Sequence, residues 1–307
     1  KKIAICCVLF LTAFSVVYSQ LSFKEKRLLD RSYNEGIESV TQHKYVDAVR
    51  AFSQCLDIDS TYAPAYLQRG RAKIELEIYG EAMADLDQAT NYDPGMGEAY
   101  FYKGYLMFGE DTTGLAMEMF DRAIESGFES PHAYYFRGMT HLLEEDEDKA
   151  LFDFNKAIDL KEDMPLAYHN RAGIKRNMGD PQGALYDYKT AINYQPDFPL
   201  AYNNMGSVKI IMGDYEGGVE DFTTAIQQDS TLSLAYNNRG YAYYQLGDTE
   251  KALEDFNTAL SLKDSFREAQ LNKASTLASM NELGMALSLL NETVQVYPDD
   301  GILYLNR

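Results

Sequence analysis

Histidines, cysteines and clustered carboxylates are the side chains that most often carry chemistry, and here their spacing argues against catalysis. The histidines are His43, His132, His141 and His169, and none has the HExxH spacing of a zinc-binding helix. His132 and His141 are nine residues apart, which on one helix points them in different directions. The run Glu144-Glu145-Asp146-Glu147-Asp148 lacks the glycine and the alternating oxygen ligands of an EF-hand loop. It reads as a solvated turn whose carboxylates favour the N-terminus of a following helix. Cys55 is the only cysteine after residue 19, and nothing near it in sequence suggests an activated thiolate. There is no phosphate-cradling GxxxxGK loop and no GxSxG elbow. No enzyme, metal site or cofactor is expected.

One residue type does recur with a fixed spacing. Asparagine occupies positions 170, 204, 238, 272 and 306, an interval of 34 residues. An amide side chain carries both a donor and an acceptor, yet it is a poor helix former, so its repeated use asks for a reason. The same interval organises the whole chain. The stretch from Leu234 to Asp264 reads as two amphipathic helices of about a dozen residues joined at Gly247-Asp248. Stepping back from Gly240 by the interval meets Gly206, Ala172, Gly138, Gly104, Gly70 and Gly36, and stepping forward meets Ala274. A period of this length signals a solenoid that grows in one dimension.

The repeats begin at residues 29, 63, 97, 131, 165, 199, 233 and 267. Position 8 of each is Gly or Ala. Position 20 is Ala in seven of the eight and Gly218 in repeat 6, and position 27 is Ala in repeats 2 to 7. Position 24 is large: Phe52, Leu86, Phe120, Phe154, Tyr188, Phe222, Phe256 and Leu290. Small residues let helix axes approach and large ones fill the space opposite. A second regularity is ionic: Arg at position 7 is followed sixteen residues later by Asp in Arg69/Asp85, Arg137/Asp153, Arg171/Asp187 and Arg239/Asp255. An antiparallel helix pair brings these together. A surface pair of this kind contributes about 0–1 kcal/mol.

The pattern of small-8, small-20, aromatic-24 and small-27, with Pro94, Pro196 and Pro298 at position 32, resembles the tetratricopeptide repeat family over residues 29–300. The resemblance implies an all-α fold, a right-handed α-solenoid of about eight antiparallel helix pairs. It also implies that the first helices line a concave face, with positions 2, 5, 6, 9, 12 and 13 pointing into it. On that face the expected partner-binding residues are Asn170, Asn203, Asn204, Asn237, Asn238 and Asn272 as a ladder for a peptide backbone. Phe101, Tyr102, Tyr105, Tyr135 and Phe136 are expected as anchors for apolar groups. Some family members grip a C-terminal carboxylate through Lys and Arg beside such asparagines. Positions 2 and 5 here hold Leu166, Leu200, Leu234, His169, Asn203 and Asn237, which are not cationic, so that mode is not expected.

Composition and ends complete the expectation. A net charge of −19, from 28 basic and 47 acidic side chains, argues against nucleic-acid binding and against an anionic membrane surface. Lys1-Lys2 followed by an apolar run from Ile3 to Phe14, with Val17 and Ser19 ahead of a cut after residue 19, has the form of a secretory signal. The expected organisation is therefore a signal peptide over 1–19, a lead-in over 20–28, repeats over 29–300 and the start of a ninth repeat over 301–307. The expected location is the periplasm in a two-membrane bacterium and otherwise the secreted fraction, with no membrane span once the signal is removed. The expected function is a non-catalytic scaffold that binds a protein or peptide segment in its groove. The alternatives are the sensory or substrate-presenting part of a longer protein, and a structural envelope component that self-associates.

Overall fold

The computed structural model describes residues 21–109 and 112–307, so the expected signal over 1–19 lies outside the described residues. The described residues form helices joined by short turns, in two compact units, the first ending at Leu160 and the second running from Lys161 to Arg307. The first unit holds α1 (Phe23–Thr41), α2 (Tyr45–Ile58), α3 (Ala63–Glu75), α4 (Tyr79–Tyr92), α5 (Gly97–Gly109), α6 (Thr113–Glu125), α7 (Pro131–Leu143) and α8 (Glu147–Leu160). The second holds α9 (Pro165–Asn177), α10 (Pro181–Tyr194), α11 (Pro199–Ile211), α12 (Tyr215–Gln228), α13 (Ser233–Gln245), α14 (Thr249–Leu262), α15 (Arg267–Ser279), α16 (Leu283–Val296) and the short α17 (Gly301–Asn306). From α1 to α16 each odd-numbered helix packs antiparallel on the next, and within a unit each pair packs on the following pair. The fold is an all-α helical-repeat solenoid. No described helix is long and apolar enough to cross a membrane.

Local chemistry sets the boundaries. Pro131, Pro165 and Pro199 occupy the first helical position of α7, α9 and α11, where a missing N–H costs nothing and a fixed φ helps. The exception is α1, which starts at Phe23 and so absorbs most of the lead-in. A capping box explains this: Ser22 Oγ accepts from the Glu25 N–H at 3.3 Å, and the Glu25 carboxylate accepts from the Ser22 N–H at 2.8 Å.

The core is the small-to-large code made physical. Phe52, Phe120, Phe154, Phe222 and Phe256 are fully buried, each against the position-8 glycine of its own repeat. A Cβ added at Gly138 would lie 2.9 Å from the Phe154 ring, and one at Gly206 would lie 2.8 Å from Phe222. Any larger side chain there would force the helix pair apart. Repeat 5 departs from the rule by setting Ala172 in one cluster with Tyr188, a phenol in place of a phenyl ring. Cys55 is buried in the core, and burial pushes its thiol up to about 12, which makes it a small apolar filler.

Candidate functional site

The face formed by the first helices differs between the two units. In the first unit, rings from α5 and α7 gather around Phe136. Its centroid lies 5.3 Å from Tyr105, 5.3 Å from Tyr135, 5.6 Å from Phe108 and 6.2 Å from Phe101. These are the edge-on and tilted contacts that aromatic quadrupoles favour. The expected anchors do not share one exposure. Phe101 and Tyr135 are buried, Tyr102 and Phe136 are partly covered, and Tyr105 is 40% exposed. Phe101 and Tyr135 therefore support the cluster from beneath, and Tyr105 presents it to solvent. The Arg71 guanidinium lies 5.1 Å over the Tyr102 ring and pairs with Glu98 at 3.0 Å.

In the second unit the asparagines bond first to one another. Asn272 Nδ2 donates to Asn237 Oδ1 at 3.0 Å, and Asn237 Nδ2 donates to Asn238 Oδ1 at 3.2 Å. Asn238 Nδ2 donates to Asn203 Oδ1 at 3.0 Å, and Asn203 Nδ2 donates to Asn204 Oδ1 at 3.1 Å. Asn204 Nδ2 then reaches His169 Nε2 at 3.4 Å. The result is a relay across α15, α13, α11 and α9. Asn203 and Asn237 are 1% and 5% exposed, so they link helices and do not face solvent. Asn170, Asn204, Asn238 and Asn272 remain partly exposed. Two rows were thus expected on the surface, and one of them is the mortar beneath the other. Beside the relay, Leu166, Leu200 and Leu234 form a row of leucines 41–48% exposed, one per repeat.

The relay ends at His169, which packs between two rings. The His169 ring packs 4.8 Å from Phe198 and 5.4 Å from Tyr188. Burial, with the nearby Arg176 charge, brings its pKa down to about 4, so the imidazole is neutral at ordinary pH. With Nε2 facing the Asn204 amide, its Nδ1 is buried without a hydrogen-bond partner, an arrangement that costs about 1–3 kcal/mol. Asn204 lies within hydrogen-bonding reach of the Tyr188 hydroxyl, and burial raises that phenol. The available signal was the phenol at position 24 combined with the glycine at position 9, and neither departure carries weight by itself.

The position-7 arginines form the expected pairs, all bidentate. Arg69 meets Asp85 at 2.6 and 2.9 Å, Arg137 meets Asp153 at 2.7 and 2.8 Å, and Arg171 and Arg239 meet Asp187 and Asp255 at 2.8 Å throughout. They are not surface pairs. The four aspartate side chains are 0–7% exposed, so the energetics are those of buried charges that must stay paired. A second cation often joins them: Lys73 sits 2.8 Å from Asp85 and Lys175 sits 2.7 Å from Asp187. Arg137 also reaches back to Asp121 in the preceding repeat at 2.9 Å. Among the described residues no group of three or more His, Cys, Asp or Glu is placed to hold a metal ion.

Comparison with known proteins bears on this architecture directly. Two tetratricopeptide repeat family profiles match, one over residues 233–266 and the other over 63–96, 131–164 and 200–231. The chain carries tetratricopeptide repeats. All four matched segments start at, or one residue after, the first residue of a first helix. No curated protein matches the chain. Among solved structures it is similar to the APC/C hetero-tetramer Cut9-Hcn1, with a TM-score of 0.63 and 16% identity, covering 85% of this chain and 52% of that one. It is also similar to PilF of Pseudomonas aeruginosa, with a TM-score of 0.60 and 15% identity, covering 68% of this chain and 95% of that one. The chain thus spans about half the length of the Cut9-Hcn1 chain it matches. At these identities the likeness establishes the tetratricopeptide fold alone.

Proposed function

We propose that this tetratricopeptide repeat chain is a non-catalytic interaction scaffold that binds an extended peptide segment along its first-helix face, after export directed by residues 1–19. The observation that carries the reading is the pairing of two rows in the second unit. Leu166, Leu200 and Leu234 are half exposed and recur once per repeat, beside the partly exposed amides of Asn170, Asn204 and Asn238. An apolar row supplies burial, and an amide row supplies backbone hydrogen bonds that do not depend on the partner's side chains. In the first unit, Tyr105 over the Phe136 cluster offers a rigid aromatic contact of the kind that dominates interface energy. The Cut9-Hcn1 structure, a hetero-tetramer by its description, supports the scaffold reading at the level of fold.

The test uses a displayed library of random linear peptides panned on the chain. Recovered peptides are expected to lose binding to a Leu200→Ser/Leu234→Ser variant whose far-ultraviolet circular dichroism is unchanged. Peptides that bind that variant as well as the parent sink the groove reading. Sequencing the N-terminus of the protein isolated from its natural source tests the export reading. A chain that still carries residues 1–19 overturns it.

A further inference from the structure

In the second unit one repeat is built differently from its neighbours, and the differences converge on one spot. Position 9 faces the groove in the family pattern and is Ser207, Tyr241 and Ser275 in repeats 6 to 8, but Gly173 in repeat 5. A mid-helix glycine is about 1 kcal/mol worse than alanine, and here no packing requires it. A Cβ added at Gly173 would meet only the Tyr188 hydroxyl, at 3.8 Å. The residue is partly exposed, so the space above it opens to solvent as a notch.

Polar groups surround that notch. Tyr188, itself fully buried, sets a hydroxyl beneath it, which the phenylalanines of repeats 6 and 7 do not have. His169 lies one helical turn before Gly173 and Arg176 three residues after it, which places both on its side of α9. Asn204 closes the side toward α11, bonded to His169. Arg176 is the only cation among the groove positions of the second unit, and Glu268 is the only acid. No carboxylate among the described residues lies within ion-pair distance of Arg176, which makes a 3.4 Å bond to the Asn177 amide oxygen. The contrast with Arg171, Arg239 and Arg267 is sharp, because each of those is paired. A chain of net charge −19 has acids in excess, yet it leaves this guanidinium without one.

Resting on the peptide-groove reading above, we propose that the Gly173 notch is a specificity pocket for one acidic side chain of the bound segment. Its carboxylate accepts from the Arg176 guanidinium over the space that Gly173 leaves, while neighbouring apolar residues of the segment lie on Leu166 and Leu200. An Asp or Glu fits this surround and a Lys or Arg does not, because a second cation beside Arg176 has no counter-charge there. The neutral state of His169 is consistent with this placement: burial, and after it the Arg176 charge, disfavours a charged imidazole, so the pocket offers one full positive charge. A single acidic position in an otherwise uncharged segment is the partner chemistry that follows.

The experiment is a panning of a displayed random heptapeptide library on the full chain and on Arg176→Gln and Gly173→Leu variants, each first checked for unchanged circular dichroism. The parent is expected to enrich peptides with Asp or Glu at one fixed place between apolar residues. The best such peptide, synthesised with both ends blocked, is expected to bind Arg176→Gln about tenfold or more weaker. Gly173→Leu, which fills the notch from the opposite chemical direction, is expected to remove the acidic preference. Enriched peptides without a fixed acid overturn the pocket but leave the groove standing, provided they depend on Leu200 and Leu234. An acidic preference retained by both variants also overturns the pocket, as does a preference lost when only the peptide's C-terminus is blocked. No enrichment on the parent overturns both readings.

Discussion

The two units solve the same packing problem with different turns and different surfaces. Both set a large residue at position 24 against a small one at position 8, in every repeat. Where the first helix of a repeat ends, they part. The second unit places Gly179, Gly213 and Gly247 in the left-handed region, with Asn281 at φ 66° in the last repeat. At the matching turns the first unit has His43 at φ 55°, Glu77 at 61° and Glu145 at 60°. The second unit then caps its second helices with Asp180, Asp214 and Asp248, whose carboxylates accept from Gly183, Gly217 and Lys251 N–H. In the first unit Asp146 does the same for α8, accepting from Lys149 N–H at 3.1 Å, but Lys44 and Ile78 provide no side-chain bond, and neither does Glu282 in the last repeat. The difference shows that the packing code alone maintains a repeat, since poor turns are tolerated wherever the code holds. It also shows where variation is free: the first unit invests its groove face in rings and the second in amides.

Breaking the shared part produces the largest effect. Phe154→Ala in the first unit and Phe222→Ala in the second each remove a fully buried ring seated on a glycine, and each is expected to cost about 3–5 kcal/mol. Hydrogen exchange of the amides in the affected unit is the proper measure, because a repeat array need not unfold in one step. A cost below about 1 kcal/mol in either unit would show that the code is not equally loaded in both.

The arginine braces come next and are expected to divide the units. Arg137→Met leaves Asp153, 1% exposed, with only His141 at 3.8 Å, and is expected to cost about 3–5 kcal/mol. Arg171→Met leaves Asp187 with Lys175 at 2.7 Å and is expected to cost less. Equal costs, measured as above, would mean that the second cation does not compensate.

Acid should act on the second unit through His169. Its folded pKa of about 4 lies below the unfolded value of 6.5, so the imidazole is more readily protonated when the chain is unfolded. The stability linked to the neutral ring is complete above pH 6.5, falls as pH drops through 6.5 toward 4, and is gone below that. The full loss is about 3 kcal/mol. His169→Asn, which gives repeat 5 the residue that repeats 6 and 7 already carry, is expected to flatten the pH dependence of exchange in α9 to α11 over that window. An unchanged slope would show that another group sets it.

How much of this was legible beforehand depends on how often a feature repeats. Gly138 and Phe154 could be read because the same pair of sizes recurs eight times. The Arg–Asp braces could be read because their sixteen-residue spacing recurs four times. Their burial could not, since the cover over Asp153 or Asp187 comes from packing that no spacing encodes. The amide ladder was half legible: Asn203 and Asn237 were found, but an amide can face solvent or its neighbour, and only the geometry of α11 and α13 shows that they face inward. The convergence of Gly173, Tyr188 and Arg176 was invisible for the opposite reason. Each is a single departure from a periodic pattern, and single departures look like drift until the structure brings them to one place.

The smallest effects test the turns, where the comparison began. Glu77→Gly and Glu145→Gly relieve a side chain held at positive φ, and each is expected to stabilise the first unit by up to about 1 kcal/mol, the relief being partly offset by glycine's greater freedom when unfolded. Ile78→Asp adds the cap that α4 does not have and is expected to contribute about 1 kcal/mol more. The reverse change, Gly213→Ala at φ 82°, should destabilise the second unit by a similar amount. Thermal shifts of a few degrees suffice to read these. If all four move as expected, the first unit's turns are ordinary strain that its core tolerates. If Glu77→Gly or Glu145→Gly destabilises instead, the glutamate makes an interaction worth more than the strain, and the turn side of the first unit becomes a surface with a role of its own.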